Sequence, residues 1–159
     1  MIDTSEKIRQ LPEALTWRSR LSGPLVFTNG VFDLVHRGHV ELLEAARREG
    51  VALVVGLNSD ASAQRLRKGS NRPVNSDSDR ARVLAGFAAV DCVVLFHENT
   101  PLGLIQQLVP EVLVKGADYS RENIVGADFV ESKGGRVVRV PLVAGFSTSS
   151  IVERLRATP

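Results

Sequence analysis

Residues 24–50 read PLVFTNGVFDLVHRGHVELLEAARREG, a strand, a loop and a helix in succession. Pro24 to Thr28 is a short apolar run, and His39 to Glu49 carries Val40, Leu43 and Ala46 at helical spacing, with Gly50 where a C-terminal cap would stand. A strand feeding a helix through a tight loop is the repeating unit of a parallel sheet. Four more apolar runs continue the pattern: Ala52 to Leu57, Cys92 to Phe96, Val112 to Lys115 and Arg136 to Val140. Their lack of polar alternation suits strands buried on both faces. Helical patterns separate them, over Asp79 to Ala89, over Pro101 to Leu108 with Thr100 as N-cap, and over Glu122 to Lys133 ending at Gly134. A last helix is expected from near Ser149, turning Ile151, Val152 and Leu155 inward, and an N-terminal one through Leu15 and Trp17 as an accessory within residues 1–23. The expected architecture is α/β, a three-layer sandwich around a five-stranded parallel sheet, in one domain over residues 1–159.

The 159 residues are 43% hydrophobic and 24% charged, which suits a folded core rather than a disordered chain. The formal charge is only +2, with Lys and Arg interleaved among Asp and Glu, so no nucleic-acid partner is expected. The densest basic stretch, Arg65 to Arg72 (RLRKGSNR), reads either as a polyphosphate clamp or as a solvated loop. Cys92 is the only cysteine, so neither an internal disulfide nor a cysteine-based metal site is expected. The N-terminal residues mix charges of both signs without an apolar core segment, and the longest apolar stretch, Val51 to Leu57, is too short to span a bilayer. The expectation is a cytoplasmic protein with no membrane partner.

In an open parallel sheet the ligand lies beyond the carboxyl ends of the strands, where the connections change direction. The loop Thr28-Asn29-Gly30-Val31-Phe32-Asp33-Leu34-Val35-His36-Arg37-Gly38-His39 occupies that place. Gly30 lets backbone N–H groups approach a ligand, and the free N–H groups of the helix start favour an anion. His36 and His39, three apart across a turn with Gly38 between them, can reach one ligand. The residues leave three readings open: phosphate binding, a metal site with Asp33 as the only local third ligand, and capping histidines. Lys115 ends a buried strand, an unusual place for an ammonium group without a ligand. Asn58-Ser59-Asp60 after the second run reads either as a ligand contact or as a turn and N-cap, and Ser147-Thr148-Ser149 before the last helix reads as phosphate contacts, as N-capping, or both.

The segment TNGVFDLVHRGH resembles the signature of the cytidylyltransferase-like nucleotidyltransferases, whose hallmark is a strand, a Gly-Xaa-Phe-Asp turn and an HxGH motif. Within them the chain resembles the adenylyltransferases that make ADP-heptose, through Asn58-Ser59-Asp60, Arg72-Pro73-Val74-Asn75, Arg80, Leu113-Val114-Lys115-Gly116-Ala117-Asp118-Tyr119 and Gly145-Phe146-Ser147-Thr148-Ser149-Ser150. The resemblance runs from about Leu25 to Arg156 and implies the Rossmann-like fold of the HIGH-type nucleotidyltransferases. That domain occurs alone or fused to a sugar kinase, and the stand-alone form is expected here. Related cytidylyltransferases carry Arg-Thr-Glu-Gly before the Ser and Thr cluster. Val143-Ala144-Gly145-Phe146 stands there instead, which weakens a CTP and glycerol-phosphate reading.

The resemblance implies transfer of AMP from ATP to a sugar 1-phosphate, a D-glycero-D-manno-heptose 1-phosphate. Catalytic roles then fall to His36, His39 and Lys115. Nucleotide contacts fall to Thr28, Asn29, Gly30, Val31, Phe32, Asp33, Gly38, Arg72, Gly116, Ser147, Thr148 and Ser149. In this set Asp33 is expected to orient the loop. Asn58, Asp60, Arg80, Asp118 and Tyr119 are expected at the acceptor. Mg2+ is expected to arrive with ATP, held by phosphate oxygens and water rather than by protein ligands. A homodimer and a separate heptose kinase complete the implied partners. Two rival readings are a CTP-dependent cytidylyltransferase for a polyol phosphate and a nucleotide-binding regulatory module without catalysis.

Overall fold

In the computed structural model, residues 3–66, 72–141 and 143–157 are described. Five strands form one parallel sheet: β1 (Leu25–Gly30), β2 (Ala52–Asn58), β3 (Cys92–Phe96), β4 (Val112–Gly116) and β5 (Arg136–Val140), in the order β3-β2-β1-β4-β5. The helices are α1 (Leu11–Arg18), α2 (Arg37–Arg47), α3 (Asp60–Leu66), α4 (Asp77–Ala85), α5 (Leu102–Leu108), α6 (Ala127–Ser132) and α7 (Thr148–Ala157).

Strand side chains alternate between two separate cores. Leu25, Phe27, Ala52, Val54, Cys92, Val94 and Leu113 pack with Ala14, Ile105, Leu108, Ala127 and Val130 under α1, α5 and α6. Val26, Leu53, Val55, Leu57, Val93, Val112 and Val114 pack with Leu43, Ala46, Ala81 and Leu84 under α2 and α4. Burial on both faces explains why these runs read as continuously apolar, and the expected three-layer α/β sandwich is what forms. β5 departs from that reading. As an edge strand it leaves Arg136 and Arg139 exposed, so only its valines are partly covered. The opposite edge is covered by the N-terminal segment. Ile8 bridges Val93 in parallel, the Arg9 N–H donates to the Val93 carbonyl at 3.0 Å, and Leu11, Leu15 and Trp17 pack onto the α1 side of the core.

Several helix ends lie elsewhere than periodicity predicts, each for a local reason. α2 begins at Arg37 rather than His39, because His36 takes the N-cap position. Gly50 is not its cap: a Cβ there would stand 2.3 Å from the Pro24 carbonyl oxygen, so glycine permits the close return to β1. α4 starts at Asp77, behind Ser76, whose Oγ accepts from the Asp79 N–H, and it stops before Gly86. Pro101 rather than Thr100 sits at the N-cap of α5. The expected helix over 122–133 is divided: a 3-10 turn at Arg121–Asn123, then Gly126 at φ 88°, then α6. α3 was hidden because Asn-Ser-Asp reads equally well as a turn.

Gly126 and Gly134 both occupy the left-handed region, at φ 88° and 82°, but a Cβ at Gly126 would lie 2.7 Å from Ile105 Cδ1 whereas one at Gly134 meets nothing within 4 Å. Gly134→Ala is expected to cost about 1 kcal/mol through backbone strain alone. Gly126→Ala is expected to cost roughly 1–3 kcal/mol more by overpacking. Urea unfolding of the two variants checks the difference; equal losses would remove the Ile105 contact from the account.

Candidate active site

β1 lies at the point where the sheet's connections change direction, with β2 on one side and β4 on the other. It pairs with β2 along its whole length, from Leu25 to Gly30. With β4 it pairs only at Val26 and Phe27, and beyond them the two strands part. Two side chains span the opening. The buried Thr28 Oγ1 donates to the Val114 carbonyl at 2.9 Å, and Lys115 Nζ donates to the Asn29 carbonyl at 3.0 Å. A cavity of about 460 Å³ opens over this seam, within the usual range for small-molecule sites.

One wall comes from the loop leading into α2. The His36 Nδ1 accepts the Gly38 N–H at 3.1 Å, and the His39 Nδ1 accepts the His36 N–H at 3.3 Å, so the two imidazoles cap the helix reciprocally. With each Nδ1 accepting, the proton of the neutral ring is assigned to Nε2, the atom left to donate to a ligand. Their centroids lie 4.0 Å apart, and the Phe32 ring supports His39 at 5.1 Å. Burial lowers the His36 imidazole below its usual range, and burial together with the neighbouring His36 pulls His39 down to about 4. At neutral pH both rings are therefore neutral donors. A Cβ at Gly38 would stand 3.0 Å from His36 Cε1, which explains the glycine between them.

On the seam itself, burial pulls the Lys115 ammonium down to about 8, against Asp118, which acts in the opposite direction. Its Nζ lies 5.2 Å from the Tyr119 ring centroid. Asp33 is buried, and its carboxylate accepts the Val74 N–H at 2.8 Å and the Asn75 N–H at 3.0 Å, so it ties the loop before α4 to the loop after β1.

The cavity brings together Thr28, Asn29, Gly30, Val31, Phe32, Asp33, His36, Gly38, His39, Asn58, Lys115, Gly116, Asp118, Tyr119 and Thr148 from the residues singled out in the sequence. Arg72, Asp60, Arg80, Ser147 and Ser149 do not line it. Arg80 corrects the expectation of an acceptor contact most plainly: it is 1% exposed and each of its three guanidinium nitrogens donates to a protein acceptor, one of them the Asp60 carboxylate. Ser147 Oγ accepts the Ser150 N–H at 3.0 Å and so caps α7, the plainer of its two readings. Of the basic stretch, residues 67–71 lie outside the described residues. Sequence reasoning missed Asn99, Thr100, Asn123 and Val125, which approach from the starts of α5 and α6 and line the cavity too. The position of Asn99 and Thr100 just beyond β3 was a usable signal, since that is a strand's carboxyl end.

Among solved structures, the chain is similar to the lipopolysaccharide core biosynthesis protein from Thermoplasma volcanium GSS1, with TM-score 0.63 and 23% identity over 77% of this chain and 98% of that one. It is also similar to the pantoate-beta-alanine ligase from Francisella tularensis, with TM-score 0.58 and 13% identity over 94% of this chain and 76% of that one. Both likenesses concern the fold. Among curated proteins, the bifunctional protein HldE of Mesorhizobium japonicum is 60% identical over 131 residues, covering 82% of this chain and 26% of the relative. That of Syntrophotalea carbinolica is 51% identical over 154 residues, covering 96% and 31%. The chain thus spans between a quarter and a third of the length of these relatives. The cytidylyltransferase-like family model matches residues 27–154, most of the chain and all of the seam from Phe27 to the start of α7. The chain belongs to the cytidylyltransferase-like family and is a nucleotidyltransferase.

Proposed function

We propose that this chain transfers AMP from ATP to a sugar 1-phosphate, a D-glycero-D-manno-heptose 1-phosphate, giving ADP-heptose and pyrophosphate. The observation that carries the reading is the convergence of two neutral Nε2–H donors and one ammonium on a single seam, at the amino end of α2. The heptose follows from the motif resemblance together with the identity to the HldE proteins.

An acceptor phosphate monoester has a second pKa of about 6, so at neutral pH it is largely dianionic and needs no general base. Its oxygen forms a bond to the α-phosphorus of ATP as the bond to the bridging oxygen breaks and pyrophosphate leaves. The protein's part is positioning and charge stabilisation. His36 and His39 donate from Nε2 to the phosphate chain, and Lys115 supplies an ammonium at the seam. Asp118 and Tyr119 flank that ammonium, and Asn58 faces the acceptor from the end of β2.

The acidic residues in the cavity wall are Asp33 and Asp118, and Asp33 already accepts from Val74 and Asn75. Among the described residues no group of three His, Cys, Asp or Glu could hold a metal. These residues suit a Mg2+ ion carried by the triphosphate oxygens, where it neutralises charge, with no protein cage of its own. A homodimer and a separate heptose kinase belong to the same reading, as does the cytoplasm. Among the described residues no helix is long and apolar enough to cross a membrane.

Incubation with each nucleoside triphosphate and a panel of sugar 1-phosphates, followed by mass identification of products, is expected to consume ATP and yield an ADP-sugar. CTP consumption without ATP consumption would establish the cytidylyltransferase alternative, and ATP binding without pyrophosphate release the regulatory one. His39→Asn keeps an acceptor near the position of Nδ1 but removes the Nε2 donor. It is expected to lower kcat by about 10²-fold while the melting temperature holds, separating catalysis from capping. Lys115 carries its charge below about 8 and loses it above. Accordingly kcat/KM for the triphosphate is expected to fall as pH rises past about 8, and Lys115→Arg, charged throughout, should flatten that limb. A limb unchanged in Lys115→Arg would assign it to another group.

A further inference from the structure

Among the described residues Arg80 is the largest fully buried side chain, and it ties four segments together. Nη1 donates to the Val31 carbonyl at 2.6 Å and to the Asn58 carbonyl at 2.9 Å. Nε donates to the Asn75 carbonyl at 3.1 Å, and Nη2 to Asp60 Oδ1 at 2.8 Å. Val31 belongs to the loop after β1, Asn58 to the end of β2, Asp60 to the start of α3, and Asn75 to the loop that Asp33 also grips. A buried guanidinium is a poor device for stability alone, because an apolar side chain of similar volume avoids its desolvation. Its particular asset is several donors fixed in one plane.

The bond to Val31 has a directional consequence. In a planar trans peptide the carbonyl and the following N–H point in opposite directions. Drawing the Val31 oxygen inward to Arg80 therefore turns the Phe32 N–H the other way. Val31 and Phe32 both line the cavity, and no acceptor among the described residues takes the Phe32 N–H. Phe32 also sits at φ 48°, in the left-handed region that a bulky side chain rarely adopts unless the surroundings hold it there. The same turn folds its ring against His39 and to within 3.0 Å of where a Gly30 Cβ would be.

We infer that Arg80 is a positioning residue for the transfer reaction: by holding the Val31 carbonyl it fixes the Val31–Phe32 peptide so that the Phe32 N–H donates to the triphosphate. The inference rests on the nucleotidyltransferase reading above, since it names the group that Arg80 prepares for that ligand. It replaces the acceptor contact first expected of this arginine with an indirect role, exerted from behind the cavity wall. Lysine cannot substitute, because a single ammonium has no planar fork with which to span Val31, Asn58 and Asn75.

Amide NMR of the full chain, titrated with inorganic tripolyphosphate, tests this directly. In the unmodified chain the Phe32 amide is expected to shift and saturate together with those of Gly38 and His39. A Phe32 amide that stays still while the other two respond overturns the proposal, and this needs no variant to fold. In Arg80→Lys the Phe32 response is expected to shrink several-fold while the Gly38 response persists. The kcat of the same variant should fall about 10²-fold with the acceptor KM changed less than threefold. Arg80→Lys with kcat within threefold of the unmodified chain and an intact Phe32 response overturns it. So does a variant whose only change is a lower melting temperature. Saturation of the Phe32 amide in a chain that transfers nothing from any triphosphate overturns the enzymatic reading and supports the anion-positioning role.

Discussion

The parting of β1 from β4 is the constraint on which the rest of the site depends. Two residues of pairing hold the strands together at Val26 and Phe27, and past them the main chains separate into a seam. Separation leaves backbone groups that a closed ladder would have satisfied, and such groups need partners. Thr28 meets the Val114 carbonyl with its hydroxyl, and Lys115 meets the Asn29 carbonyl with its ammonium. The charge therefore stands where the opening is, because the opening itself offers the oxygen that holds it. Asn29 Oδ1 remains buried with no partner among the described residues.

Around that seam the histidines act through their backbone partners. Each Nδ1 is committed to an N–H of the helix start, so ring orientation and tautomer follow from the same hydrogen bonds that begin α2. Folding the helix and aiming the donors are one event. Burial keeps both rings neutral, which lets them donate without repelling Lys115 across the cavity. In the proposed transfer a triphosphate brings the negative charge, and the Lys115 ammonium, two imidazole N–H groups and a helix terminus would meet it.

Much of this was legible in the sequence, and the parts that were not have definable causes. Strand positions were legible because both faces are buried, so Ala52 to Leu57 and Cys92 to Phe96 stand out as apolar runs. β5 was legible as a strand but not as an edge, since Arg136 to Val140 groups with the buried apolar runs although both its arginines are exposed. The loop from Thr28 to His39 was legible because glycine and histidine spacing reports backbone demands directly. Arg80 was not: nothing in Asp79-Arg80-Ala81 says that the guanidinium turns inward to carbonyls some twenty and fifty residues away. Asn123 was missed for a related reason: it reaches the cavity from a turn after β4, and tertiary proximity leaves no periodic trace in the chain.

The two margins of the sheet are treated differently, and this bears on how copies of the chain behave at high concentration. Ile8 lies along β3 and occupies hydrogen-bonding positions that a strand from another copy would otherwise use. β5 has no such cover, but it presents an arginine on each face, with Arg136 held by Glu49 and Arg139 by the Ala117 carbonyl. A second β5 docking there would set cation against cation and strip both of water. Charge at one margin and a borrowed strand at the other leave a fully parallel sheet with little invitation to fibrillar stacking.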